Sequence, residues 1–433
     1  MAAETAGAAA TGIAGALSRV GAALGRRDFR WWFGSQVLSS SGTMTQGVAL
    51  SWVVLQTTGN AFWLSIMTVC TWGPTLLLGP WAGSVVDRVD RRLLLIGTQG
   101  LLLITGLLLS ALSAAGALDL WAILGTSVLA GVVTAADSPA RQVYVVDLVG
   151  KQALSSAVGL WEVSLNISRV LGPGLGGALL ATVGPSACFL VNALSYLPPL
   201  YVLWRLVPQD RAHIERSVRG RGAVRSGMAY VWRTPVIRAC MPLASAGGML
   251  FTMGIALPVL ATRAFHLGGG GYGALMAAFG IGGLPGAVIA AGTTSPTGQR
   301  VRTLAACTGG AVVLVAWAPD LFVAFAAMAL TGFLSIWFVA SANTLVQLRC
   351  VPEMRGRVMG LWGMSMTGTV PMTGFLIAAV GQYGGARAGF AMSGFALLAA
   401  ALLGWRSLSE RPEEEQGQEQ RNALSTDAHS VKT

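Results

Sequence analysis

Long apolar runs broken by short polar turns dominate this chain. About twelve such runs fall near residues 31–56, 62–86, 92–114, 119–139, 155–182, 186–207, 236–262, 271–292, 302–319, 321–346, 357–380 and 387–406. Each approaches or exceeds the roughly 20 residues that a helix needs to cross a bilayer, where lipid offers the backbone no hydrogen-bond partner. The pattern predicts an all-α polytopic membrane protein of about twelve transmembrane helices. The longest polar stretch within this region, from Pro208 to about Arg233, divides the runs six and six. The expected organisation is a lead-in over 1–27, an N-terminal half over 28–207, a linker over 208–235, a C-terminal half over 236–406 and a tail over 407–433.

Polar positions inside the runs have their own period. Gln36, Ser40, Thr43 and Gln46 of the first run recur every four or three residues and so share one helical face. In a membrane helix such a stripe points at water or at neighbouring helices.

Composition sharpens the membrane reading. Charged residues make up 11% of the chain and hydrophobic ones 54%, against about 25% charged in soluble domains. The net charge of +11 raises the question of a nucleic-acid partner, and its distribution argues against one. Arg19, Arg26, Arg27 and Arg30 precede the first run; Arg88, Arg91 and Arg92 follow the second; Arg141 and Lys151 follow the fourth. Arg211, Arg216, Arg219, Arg221, Arg225 and Arg233 fill the middle linker, and further Arg residues follow the eighth and tenth runs. The opposite loops hold Arg263 and Arg387. This bias places both termini in the cytoplasm of a cell whose plasma membrane the protein spans.

Other chemistries find little support. The five cysteines form no CxxC pair, and the three histidines are far apart, so neither a disulfide framework nor a metal site is expected. There is no G-x-x-x-x-G-K-[ST] loop for ATP. The Ala/Gly-rich lead-in and the Glu/Gln-rich tail, with Glu413, Glu414 and Glu415 in a row, hold too little apolar content to fold. The halves resemble one another: Gly159-Leu160-Trp161 returns as Gly360-Leu361-Trp362, 201 residues on, and Gly83 has a counterpart in Gly292, 209 residues on. Two six-helix halves around a midplane site is a common transporter plan.

The segment from Asp87 to Arg92 packs five charges into six residues between nearly uncharged runs. Gly83, Asp87, Arg88, Arg91 and Arg92 form G-x-x-x-D-R-x-x-R-R, which resembles the signature loop of the major facilitator superfamily. Asp90 stands where that family usually has Gly. The D-R-x-D-R-R form looks like the drug- and siderophore-exporter branch, often labelled transmembrane secretion effectors. Asp87 and Arg91 would share one face of a short helical turn. The resemblance implies that this loop pairs with Asp137 and Arg141 at the end of the fourth span and gates the transporter, Gly83 allowing close helix approach. The plainer alternative is that the arginines only set topology.

In the fifth span, Ser168, Gly172, Pro173, Gly176 and Gly177 resemble the family's antiporter motif, G-x-x-x-G-P-x-x-G-G, which the family associates with export. Glu162, Asn166 and Arg169 share a helical stripe with Pro173. At 1.5 Å per residue, Glu162 lies about 10 Å and Arg169 about 21 Å into the span. Charges at that depth are costly unless paired or wetted, so the stripe is expected to face a central cavity. There Glu162 would bind a proton or a cationic substrate group, or the pair would be structural. Leu120–Ala136 holds no Arg where proton-coupled relatives carry one, and Thr43 follows Gly42 where they carry an acid.

Gln36, Ser40, Thr43 and Gln46, with Trp337, Asn343 and Trp362 from the second half, are the candidate cavity lining. Aromatic rings and the flexible Met364 and Met366 suit large apolar ligands. The resemblance implies a secondary exporter of an amphipathic small molecule that uses the proton gradient and no bound cofactor, and acts as a monomer. A nutrient importer of the same fold is the alternative, and a lipid-modifying enzyme a more distant one.

Overall fold

A computed structural model describes residues 25–86, 89–149, 154–206, 223–292, 296–368 and 370–408. Among these the chain is helical and no strand occurs. In the first half α1 is Arg27–Thr58, α2 Ala61–Val86, α3 Arg91–Ala114, α4 Leu120–Val149 and α5 Leu154–Thr182. The sixth run is two pieces, α6 (Pro185–Ser195) and α7 (Leu197–Arg205). The amide-less Pro198 and Pro199 follow the break at Tyr196.

A short helix from the expected linker, α8 (Ala223–Arg233), precedes the second half. The seventh run comprises α9 (Pro235–Met249) and α10 (Met253–Arg263), bent by 46° across a 3-10 turn at Leu250–Thr252. Then come α11 (Gly269–Gly292), α12 (Gly298–Ala316) and α13 (Leu321–Arg349). The eleventh run splits into α14 (Pro352–Thr367) and α15 (Val370–Tyr383), and α16 (Ala386–Leu403) closes the bundle. Among the described residues eight of these runs have the length and apolarity of a membrane span, and the bent seventh makes nine if its two helices form one span. The other three, α1, α5 and α12, have 32, 29 and 19 residues and carry more polar side chains.

Local chemistry sets the ends. Gly59, at φ 62, terminates α1 in the left-handed region and donates its N–H to Leu55 O. Asp90, Thr297 and Asp320 cap α3, α12 and α13 through their side chains. Pro185, Pro235 and Pro352 open α6, α9 and α14, where a missing N–H removes no helical bond.

Lipid tails give no hydrophobic drive between helices, so small residues that admit close contact decide the packing. The same pairings recur in both halves. A Cβ built on Gly172 of α5 would lie 2.8 Å from Ser41 O of α1, and one on Gly248 of α9 would lie 2.9 Å from the Met366 carbonyl carbon of α14. A Cβ on Gly131 of α4 would lie 3.1 Å from Cys70 O of α2, and one on Gly286 of α11 would lie 3.2 Å from the Phe333 carbonyl carbon of α13. Gly106 of α3 seats against Ala193 of α6, and Gly309 of α12 against Gly394 of α16. Arginines repeat the theme: Arg92 donates to Leu203 O and Trp204 O at 2.5 and 2.7 Å, while Arg302 donates to Trp405 O at 3.1 Å and stacks on that indole. In each half, a guanidinium at the start of the third run caps the end of the sixth.

These arginines mark one end of the bundle, called here the basic end. Contacts between the halves gather toward the opposite end. Ser65 Oγ donates to Gly374 O at 2.9 Å, Phe62 packs on Phe375 at 5.3 Å and Arg263 donates to Gly59 O at 2.8 Å. There too, α5 and α11 touch through Gly177 and Gly273.

Candidate functional site

A buried polar network links α1, α3 and α4 inside the first half. Asp137 and Arg141, one turn apart on α4, pair at 2.5 Å with their side chains 5% and 12% exposed. Asp137 Oδ1 also accepts from Thr98 Oγ1 at 2.7 Å and Gln99 Nε2 at 3.2 Å, both on α3. Arg141 reaches the other way and donates to Gln36 Oε1 of α1 at 2.5 Å. One carboxylate and one guanidinium thus tie three helices together. Away from water such a pair is held tightly, and neutralising either member leaves a costly lone charge. Two further bonds join α1 to the sixth run: Thr43 Oγ1 lies 3.2 Å from Tyr196 Oη, and Asn192 Nδ2 donates to Gln46 Oε1 at 2.7 Å.

The structure describes part of the expected gate. The fourth helix continues to Val149, ten residues past the expected boundary, so Asp137 and Arg141 sit within it. An i, i+4 pair on an unbroken helix closes on itself, and among the described residues its further bonds reach α1 and α3. Val89 and Asp90, just before α3, are non-helical. Asp90 accepts from the backbone N–H of Arg92 and Leu93, which explains an acid where glycine is usual. Gly83 falls in the last turn of α2 and Arg91 opens α3, while Asp87 and Arg88 lie outside the described residues.

The fifth-span motif divides over two faces. Ser168, Gly172 and Gly176 face α1: Ser168 Oγ lies 3.2 Å from Val37 O, and Thr45 Oγ1 donates to Gly172 O at 2.9 Å. A Cβ on Gly176 would meet Val48 Cβ at 3.1 Å. Pro173 and Gly177, one residue further round, face α11 of the other half. A Cβ on Gly177 would stand 2.6 Å from Gly273 Cα, and one on Gly273 would stand 3.1 Å from Pro173 O. One face therefore fixes α5 within its half and the other forms the contact between halves.

A family profile described as transmembrane secretion effector matches residues 20–431. The chain belongs to this family of transporters. Among curated relatives, the staphyloferrin A transporter of Staphylococcus aureus is 25% identical over 81% of this chain and 88% of its own length. The multidrug efflux pump Tap of Mycolicibacterium fortuitum is 27% identical over 79% and 86%. The enterobactin exporter EntS of Citrobacter koseri is 27% identical over 77% and 80%. Among solved structures, a bacterial homologue of the iron transporter ferroportin in an inward-facing state superposes with TM-score 0.67 at 17% identity, covering 89% of this chain and 99% of that one. A bacterial homologue of the lysosomal transporter Spinster gives 0.63 at 14%, over 88% and 96%. These neighbours share the major facilitator fold. The chain is accordingly a transporter and not an enzyme.

Within this secretion effector the remaining candidates scatter. Glu162 and Asn166 lie on α5, but their side chains fall outside the described residues; Arg169 is half-buried. Gln36 is only 1% exposed and Trp362 only 5%, so neither presents its side chain to a wide solvent-filled cavity in this conformation. Gln36 is held by Arg141, and Trp362 belongs to the main apolar core. Ser40 and Gln46 are half-buried and Thr43 is exposed. Trp337, half-buried, packs on Phe333 at 5.7 Å, and Asn343 accepts from Gln347 at 3.3 Å. Among the described residues no group of acids, cysteines or histidines could hold a metal ion. The sequence reading missed Thr98, Gln99, Asn192 and Tyr196. Their only signal was a polar side chain in the third or sixth apolar run.

Proposed function

We propose that this secretion effector exports an amphipathic small molecule across the plasma membrane in exchange for protons, as a monomer with its basic end in the cytoplasm. The observation that carries the reading is the buried Asp137–Arg141 pair and its bonds to Gln36, Thr98 and Gln99. Charge kept at such cost inside a membrane bundle suits a part that changes partners as the protein moves. The arginine bias supports a cytoplasmic basic end. The contacts between the halves near Gly177 and Gly273, toward the end away from the basic one, suit a carrier closed on its outer side. The Gly/Pro seam of α5, and relatives named as an efflux pump and an exporter, favour efflux over uptake.

The test uses the full chain in everted membrane vesicles with a fluorescent amphipathic cation such as ethidium added to the medium. Energised vesicles should accumulate it, and a protonophore should abolish the accumulation. Glu162→Gln should flatten the pH profile of transport if Glu162 carries the proton. Uptake by intact cells with no vesicle accumulation would assign the chain to import.

A further inference from the structure

Near the basic end, a cleft opens between α1, α4 and α5, with room for one water-sized group. Its wall contains three polar side chains that are each only 1% exposed: Trp32, Gln36 and Ser164. Trp32 Nε1, Gln36 Nε2 and Ser164 Oγ all lack a hydrogen-bond partner. One such orphan in a membrane helix bundle is a cost of several kcal/mol; three around one space are a site. Phe29, Phe33 and Trp161 provide aromatic surface around them.

The chemistry of the orphans identifies what they take. An indole N–H only donates. Gln36 is fixed in orientation because its oxygen accepts from Arg141, and a guanidinium has no acceptor to offer the amide nitrogen. Its free atom is therefore also a donor. Ser164 supplies a hydroxyl that can add a third donation. Two obligate donors and an adaptable one, beside aromatic rings, call for an oxygen acceptor carried on a flat apolar body.

We propose that this cleft is a ligand subsite that takes a carbonyl or carboxylate oxygen of an aromatic compound, the oxygen filling the water-sized space and the rings lying at its mouth against the half-buried Phe33 and Trp161. This deepens the transporter reading by naming a substrate feature, but binding here requires no transport. The subsite makes Trp32 and Ser164 specificity determinants for oxygen-bearing substrates.

The test is equilibrium binding to the purified full chain in lipid nanodiscs, using fluorenone and fluorene, which differ by one carbonyl oxygen. Wild type should prefer fluorenone about tenfold, the worth of one or two net hydrogen bonds. Trp32→Phe and Ser164→Ala should each reduce the preference to about two- or threefold and leave fluorene binding unchanged, the latter also showing that the variants are folded. The fluorenone carbonyl band should shift to lower frequency on binding to wild type and return towards its free position with Trp32→Phe. A wild-type preference near one, or a preference that both variants retain, overturns the proposal and assigns the cleft to an internal water. Because the measurement is of binding, failure of efflux in vesicles neither mimics nor hides the result.

Discussion

Gly177 of α5 and Gly273 of α11 meet backbone to backbone across the junction of the two halves, and a Cβ on Gly177 would lie 2.6 Å from Gly273 Cα and 3.0 Å from its carbonyl carbon. No side chain stands there to rotate away. Gly177→Ala should therefore force the helices apart and penalise the closed junction by about 1–3 kcal/mol, the usual cost of overpacking. Because Gly177 faces away from α1, the first half itself should stay folded. Nitroxide labels at exposed Ala115 and Tyr383, in a cysteine-free background, should move further apart in the variant. Unchanged distance distributions for Gly177→Ala and Gly273→Ala would refute the role of this contact in closure.

The Asp137–Arg141 pair makes a different demand. Asp137→Asn leaves Arg141 with its charge but no counter-charge among its known partners, and removing one member of a buried pair costs about 3–5 kcal/mol. Arg141→Gln should cost a similar amount by stranding the carboxylate. The double variant should be less destabilised than the sum of the two, since it strands no charge. Thermal unfolding of the four proteins in detergent measures the coupling. Strict additivity would mean that the two charges do not depend on one another.

Much of this was legible in the sequence, and the limits have physical causes. Apolar runs report helices because lipid permits little else, but the sixth and eleventh runs were read as unbroken spans, and the breaks beside Pro198-Pro199 and between Gly368 and Pro371 were not read. The two faces of α5 were implicit in four-residue spacing: positions 168, 172 and 176 lie about 100° round the helix from 173 and 177. Spacing does not name the helix that each face meets. The partners of Asp137 were hidden because Thr98 and Gln99 sit on a distant element and look like stray polar residues in an apolar run. The partners of Arg92 and Arg302 are backbone carbonyls, which have no residue identity to read.

Those two arginines give a prediction about symmetry. Arg92→Gln removes two bonds to the last turn of α7, and Arg302→Gln removes one bond beyond α16 together with a stack on Trp405 at 3.8 Å. Each should lower stability by about 1–2 kcal/mol. The sites lie in separate halves and share no named partner, so the effects should add within about 0.5 kcal/mol. Arg302→Lys should recover little, because an ammonium lacks the flat face that stacks on an indole. Unfolding curves of the single and double variants decide this, and full rescue by lysine would show that charge alone matters.

Gly172 and Gly174 are two residues apart on α5 and should respond to the same substitution in opposite ways. A Cβ on Gly172 would lie 2.8 Å from Ser41 O and 3.3 Å from Met44 Cα, both backbone atoms of α1, and would push away the helix whose Thr45 hydroxyl bonds Gly172 O. At Gly174 the nearest atom is Ala277 Cβ at 3.7 Å, an ordinary contact. Gly174→Ala should fold normally and gain up to about 1 kcal/mol from helix propensity. Gly172→Ala should lose about 1–3 kcal/mol through overpacking, together with the Thr45 bond. Comparing yield after size-exclusion chromatography and melting temperature for the two variants tests the split of this helix into a packed face and an open one. Equal behaviour would mean that α5 softness as a whole, and not the facing of its glycines, is what the motif provides.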